Sequence, residues 1–225
     1  MIEAIDVSLK YRDGTLALKD VSLEIKPGEL VYITGPSGSG KTSLLKLFMG
    51  IEYPTSGSLK VLGQPISKGT TSKIRKMRMG VGPVFQEFKL IQGRTAIENV
   101  MMGVRFLGIP SKQMKDNASN ALARVGLEHK ALSKVENLSW GQCQRVAIAR
   151  AVARNPKLIL ADEPTGNLDQ ENALKILELL TSFKDKDTAV VITTHATHLI
   201  ENERNATFIN VSEGSVSIER RGEVK

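Results

Sequence analysis

The sequence predicts an α/β fold: a core of parallel strands, an antiparallel β subdomain near the N-terminus, and an inserted α-helical subdomain. Three observations carry this. The runs "LVYITG" (Leu30–Gly35), "LILA" (Leu158–Ala161) and "AVVI" (Ala189–Ile192) are almost wholly apolar, as strands covered on both faces are. The first segments instead alternate, with Ile5, Val7, Leu9 and then Val21, Leu23, Ile25 separated by polar residues, as half-buried antiparallel strands do. Between residues 87 and 156 the apolar period changes to about 3.6, the helical repeat.

Each segment follows in order. "PGE" at Pro27–Glu29 turns the second alternating strand into the buried run at Leu30. A glycine-rich loop follows, then the helical run "KTSLLKLFMG", closed by Gly50. "SGSLKVLGQPI" predicts a hairpin near a sheet edge. Helices are then marked by Ile97, Val100, Met101 and Val104, and by Met114, Ala118, Leu122 and Val125. Met101, Met102 and Met114 suit flexible core filling rather than a ligand box. After Pro156 the strand "KLILADE" is followed by a helix over Asn172–Phe183, the strand "TAVVITTH", and a closing hairpin around Glu213 and Gly214. The organisation is one domain over 1–225, with 1–86 and 157–225 forming the core and β subdomain and 87–156 the helical insert.

Composition bounds the function classes. At 225 residues, 41% hydrophobic and 24% charged, the chain is an ordinary globular domain rather than a disordered one. Its apolar runs fall far short of the ~20 residues a membrane helix needs. Glu3 and Asp6 interrupt the first apolar stretch, which does not suit a signal peptide, and the lone Cys143 can form no internal disulfide. A cytoplasmic protein is expected, acting on membranes only through another polypeptide. The net charge of +7 suits nucleic acid, anionic lipid or phosphate ligands, but it is dispersed; "SKIRKMR" (Ser72–Arg78) is its densest piece and reads as a solvated surface.

The chemistry starts at "GPSGSGKT" (Gly35–Thr42), which fits G-x-x-x-x-G-K-[ST] between a strand and a helix. Its glycines let backbone N–H groups curl around phosphate oxygens, the helix start adds its positive dipole end, Lys41 supplies a point charge and Thr42 a hydroxyl for Mg²⁺. "LILADEP" is expected to end a buried strand beside that loop, with Asp162 turned toward the metal and Glu163 free to orient or deprotonate water. A second anion site is expected at "LSWGQ", where Ser139 and Gln142 have the spacing of a capping box, Ser139 as N-cap. The helix it opens should run to Asn155, stopped by Pro156. One nucleotide loop plus a separate phosphate-seeking helix start invites a site shared between two copies.

These motifs, in this order, resemble the ATP-binding subunits of ABC transporters, and the resemblance covers essentially the whole chain. It implies the ABC ATPase fold, a P-loop (RecA-like) core with antiparallel β and helical subdomains. It implies that Tyr11 stacks on adenine and that Gly35, Pro36, Ser37, Gly38, Ser39, Gly40, Lys41, Thr42 and Ser43 hold the phosphates. Thr42, Gln86 and Asp162 would meet Mg²⁺; Glu163 would be the catalytic base, with Gln86 and His195 beside the γ-phosphate. Ser139, Gly141 and Gln142 of the signature, and Asp169 of "NLD" (Asn167–Asp169), would face the nucleotide of a second copy. "ADEPTGNLD" and "RTAIENV" look most like the group containing FtsE, LolD and MacB. The cofactors implied are ATP and Mg²⁺. The partners implied are integral membrane permease subunits at the cytoplasmic face of the cell membrane and a second copy on ATP binding; no nucleic acid is expected.

Three departures stand out. Trp140 replaces the first signature glycine, Pro83 precedes the Q-loop glutamine Gln86, and Ala196 follows His195 where aspartate is common. Pro83 and Ala196 are expected to tune loop stiffness. Trp140, at the first helical position, is expected to lean toward the opposing nucleotide or the facing phosphate loop of a second copy, and Phe88 and Lys89 are expected to meet a helix of the membrane partner. His129 and His198 have no metal-ligand cluster nearby and are expected as surface or packing residues rather than ligands. The competing functions are a low-turnover ATP-binding scaffold, for which Trp140 speaks, and a non-transport ABC ATPase acting on nucleic acid.

Overall fold

A computed structural model describes residues 1–69, 71–166 and 168–222. The elements are β1 (Ile2–Lys10), β2 (Leu16–Ile25), β3 (Leu30–Thr34), α1 (Lys41–Phe48), β4 (Ser56–Val61), β5 (Gln64–Pro65), α2 (Thr71–Met79), β6 (Val81–Val84), α3 (Ala96–Val104), α4 (Ser111–Arg124), α5 (Trp140–Val152), β7 (Leu158–Asp162), α6 (Gln170–Thr181), β8 (Ala189–Thr193), β9 (Thr207–Ser212) and β10 (Ser215–Arg220). One sheet has the order β2-β1-β4-β5 and is antiparallel throughout. The other has the order β10-β9-β3-β8-β7-β6, parallel except for β10.

The period-2 alternation of a strand explains how the apolar runs are used. Tyr32, Ile159, Ala161, Val190 and Ile192 face a cluster built with α3, α4, α5 and α6. Val31, Ile33, Leu158, Leu160 and Val191 face the opposite cluster, built with α1 and the antiparallel sheet. Every residue of β3 and β8 is buried, so both faces of the parallel sheet are dry and alternation in polarity is absent from its strands. Met101 and Met114 pack on the helical cluster as expected, whereas Met102 lies beside Arg105, its sulfur 3.9 Å from the guanidinium.

Several details differ from the sequence expectation. Ile5 is 60% exposed rather than part of the inward stripe. The register shifts between Ala4 and Val7, where Asp6 takes a φ of 49° and exchanges hydrogen bonds with Ser22. A bulge of this kind turns the following side chains over. The helix expected from Asn172 begins at Gln170, because Asp169 caps it. α5 ends at Val152 rather than Asn155; Asn155 adopts a left-handed φ of 50° ahead of Pro156. Pro83 lies in β6, at the edge of the parallel sheet, rather than in a loop; an edge is where a missing N–H is tolerated. β6 and the basic helix α2 were not foreseen: β6 is only four residues long, and α2 buries only Ile74 and Met77.

Candidate nucleotide-binding site

β3 delivers the chain into a loop that only glycine can complete at two points. Gly35 has a φ of 140°, and a Cβ there would stand 2.1 Å from the Val211 carbonyl oxygen. Gly40 has a φ of 115°, with the Ala17 carbonyl oxygen 2.6 Å from where a Cβ would be. α1 then starts with no side-chain cap, so its first N–H groups are left for a ligand. Lys41, 5% exposed, donates from Nζ to the carbonyls of Gly35 (2.9 Å) and Pro36 (3.0 Å), which holds the ammonium over the loop. The buried Ser39 hydroxyl has no hydrogen-bond partner among the described residues. An orphaned hydroxyl inside a ring of N–H groups fits a phosphate oxygen. The cleft, about 850 Å³, is lined by Ser37 to Ser43 together with Tyr11, Gln86, Glu163 and His195. Tyr11 sits within 3.0 Å of Ser43, hydroxyl to hydroxyl.

The carboxylates arrive on β7. Thr42 Oγ1 donates to Asp162 Oδ1 at 3.2 Å across 120 residues of chain. Glu163 leaves the strand with a φ of 44°, a left-handed conformation that turns its side chain back over the loop. One carboxylate oxygen lies 3.5 Å from Lys41 Nζ, and the other is in hydrogen-bond contact with His195 Nδ1. Thr193, fully buried on β8, holds this corner: its hydroxyl donates to Asp162 Oδ1 (2.8 Å) and lies 2.9 Å from the Glu163 N–H, from which it accepts. Sequence reasoning missed Thr193. A threonine in an apolar strand carries no signal until β7 and β8 pair and place Asp162 opposite it.

The signature residues form a separate constellation. Ser139 and Gln142 make the capping box: Ser139 Oγ accepts from the Gln142 N–H (3.3 Å), and Gln142 Oε1 accepts from the Ser139 N–H (2.9 Å). Gly141 is helical, and a Cβ there would meet nothing within 4 Å, so backbone conformation does not require glycine; open space lies in front of it. The Asp169 carboxylate caps α6 by accepting from the Asn172 N–H at 2.9 Å, and the Asn172 hydrogen bonds hold it below the usual carboxylate range. Ser139, Gly141 and Asp169 line a cavity of about 600 Å³ with Arg145 and Lys175, distinct from the loop cleft. Asn167 lies outside the described residues. Trp140 does not lean away from its own subunit: its ring centroid is 4.5 Å from that of Phe88 and its Nε1 is 3.4 Å from the Gly166 carbonyl oxygen, although 46% of the residue stays exposed. His129 and His198 are exposed, the surface rather than the packing alternative.

A phosphate loop between a buried parallel strand and a helix, with a strand-end carboxylate on the helix's first hydroxyl, defines a P-loop nucleoside triphosphatase. Residues 18–166 match the family described as ABC transporter. The chain is 37% identical over 223 residues to the cell division ATP-binding protein FtsE of Streptococcus pneumoniae, covering 99% of this chain and 97% of that protein. It is 40% identical over 204 residues to the methionine import ATP-binding protein MetN of Bacillus subtilis, covering 89% of this chain and 60% of the relative. A solved dimeric ATP-binding cassette in a post-hydrolysis state, bound to ADP and Pi, is similar in structure with a TM-score of 0.87 at 36% identity, covering 99% and 100% of the two chains. The chain belongs to the ABC transporter family and is an ATP-binding subunit that hydrolyses ATP.

Proposed function

We propose that this chain is the ATPase of a membrane complex of the FtsE kind, two copies holding MgATP head to tail between them. One observation carries it: the subunit presents two helix starts, the uncapped α1 and the Ser139-capped α5, on two separate cavities. Neither cavity alone brings the loop and the signature together, and a second copy supplies what each lacks. The FtsE relative aligns over nearly its whole length, whereas MetN extends well beyond the match, which favours the former kind of complex over nutrient import.

Within each site, Tyr11 meets adenine and residues 35–43 hold the phosphates. Among the described residues no cluster of three or more His, Cys, Asp or Glu could hold a metal by itself. That suits Mg²⁺, which keeps waters and nucleotide oxygens as ligands and takes few protein groups, here Thr42 and Asp162 with Gln86 alongside. When bound, it would neutralise charge on the phosphates. Glu163 orients and deprotonates water, and His195 keeps the carboxylate in place. Ser139, Gly141, Gln142 and Asp169 face the nucleotide of the other copy, the side chains of Gln142 and Asp169 acting through the helix caps they form.

No helix of the described residues is long and apolar enough to cross a membrane, so coupling falls to partner subunits at the cytoplasmic face; nucleic acid has no part in this reading. Phe88 is only 9% exposed and packs on Trp140, so it does not meet the partner as the sequence suggested. The adjacent groove of about 470 Å³, with Met79, Pro83, Phe85, Phe106 and the cations Arg75 and Arg78 on its walls, is the better seat for a partner helix. The test of the shared site is paired. Glu163→Gln should lose about 10²-fold or more in turnover and elute as an ATP-dependent dimer, and adding Ser139→Arg should return it to a monomer that still binds ATP. A dimer that survives Ser139→Arg refutes the shared site.

A further inference from the structure

The signature tryptophan has a use inside its own subunit. α5 holds the Gln86 loop at two points. Near its end, Arg150 donates to the carbonyls of Lys89 (2.6 Å) and Phe88. At its start, the Trp140 indole lies against the Phe88 ring and reaches the Gly166 carbonyl oxygen. Phe88 and Lys89 have φ values of 44° and 51°, a conformation that costs a non-glycine residue and persists only when its surroundings hold it. Gly166 follows Glu163 by three residues, and its N–H donates to the Glu163 carbonyl at 3.2 Å. The indole therefore touches a ring two residues from Gln86 and a turn that starts at Glu163. A glycine at this helix position would have neither contact.

We propose that Trp140 is a positioning residue: an intramolecular strut that ties the start of α5 to the Gln86 loop and the Glu163 turn, so that nucleotide in a subunit's own cleft sets the orientation of the helix start it offers to a second copy. This rests on the shared-site reading of the function. The geometry is specific. A ring pair at 4.5 Å and 60° is an aromatic contact of ordinary strength, and the Nε1 bond fixes which way the indole faces. The indole packs on Phe88 at a tilt, and Trp140 also lines the cavity shared with Ser139 and Gly141. A shift of α5 relative to the sheet must therefore slide or break the strut.

Trp140 is the only tryptophan, so its emission reports the strut directly. MgADP added to wild-type protein, at concentrations where size exclusion shows a monomer, should shift or quench that emission, and Phe88→Leu should abolish the change. Trp140→Gly should lower kcat at least threefold with KM for ATP changed less than twofold, and Trp140→Phe, which keeps the ring but loses the N–H, should recover at least half of the loss. Trp140→Gly and Phe88→Leu should be non-additive in kcat. Emission indifferent to MgADP, or a Trp140→Gly effect that adds independently to that of Phe88→Leu, overturns the strut. The fluorescence arm is read on monomer, so its failure is distinguishable from a failure of Glu163→Gln to dimerise.

Discussion

Thr193 shows how much one hydroxyl decides in this site. It bonds the Asp162 carboxylate and the Glu163 N–H together, at a point where Glu163 takes a left-handed φ of 44°. Replacing it by the near-isosteric valine keeps the packing and leaves a buried N–H and a carboxylate oxygen short of a partner, a cost of about 1–3 kcal/mol. Thr193→Val should lower the melting temperature by several degrees and raise the Mg²⁺ concentration needed for half-maximal ATPase activity, while Thr193→Ser restores both. Unchanged Mg²⁺ dependence in Thr193→Val would mean that Thr42 and the β7 backbone position Asp162 without help. Gly141 makes the complementary point: its backbone is ordinary and the space before it is open, so the fold of the subunit does not require glycine there.

α5 is more than the bearer of a motif. Its apolar face, with Val146, Ile148, Ala149 and Val152, sits in the helical cluster, and Arg150 within it and Arg154 just past its end reach across to neighbouring backbone. Arg154 donates to the carbonyls of Gly103, Arg78 and Val81 at 3.1, 2.9 and 2.9 Å, linking α3, α2 and β6. Burial, with Arg154 beside it, pushes the Arg150 guanidinium down to about 10, still charged at neutral pH. Guanidinium suits this work because its fixed fork satisfies adjacent carbonyls at once. Arg150→Met strands the Phe88 and Lys89 carbonyls and releases a strained turn. It should cost about 2–3 kcal/mol of stability by denaturant titration and should make the 86–90 segment the first site of limited proteolysis. Wild-type stability in that variant would show that the turn holds its own shape.

Across the molecule, the parallel sheet carries the nucleotide loop at one end, with α3, α4, α5 and α6 on one face and α1 and α2 on the side of the other. The two hydrophobic clusters take alternate residues of its strands, and α3, α4 and α5 are gathered in one of them. The groove beside α2 opens where these parts adjoin, and Phe106, 70% exposed, stands at its wall. Apolar surface rimmed by arginines suits a partner helix with an apolar face and acidic ends. Phe106→Asp should abolish co-purification with the membrane partner and leave the ATPase rate of the isolated subunit within about twofold of wild type. Retained co-purification would move the docking surface elsewhere.

Local chemistry was legible in the residues. Gly35–Thr42, Asp162, Glu163 and the Ser139–Gln142 box are short-range patterns whose spacing dictates backbone N–H geometry or a helix cap, and the apolar runs announce strands dry on both faces. Long-range pairing decided the rest. Thr42 meets Asp162, and Thr193 meets the Asp162 carboxylate and the Glu163 N–H, only because β3, β8 and β7 lie side by side in one register. The outward turn of Ile5 needed a bulge, the edge position of Pro83 needed the sheet order, and the inward lean of Trp140 needed Phe88 and Gly166 beside it. A side chain's direction at a helix start follows from what stands within its reach, and that is a property of tertiary packing, which no spacing along the chain encodes.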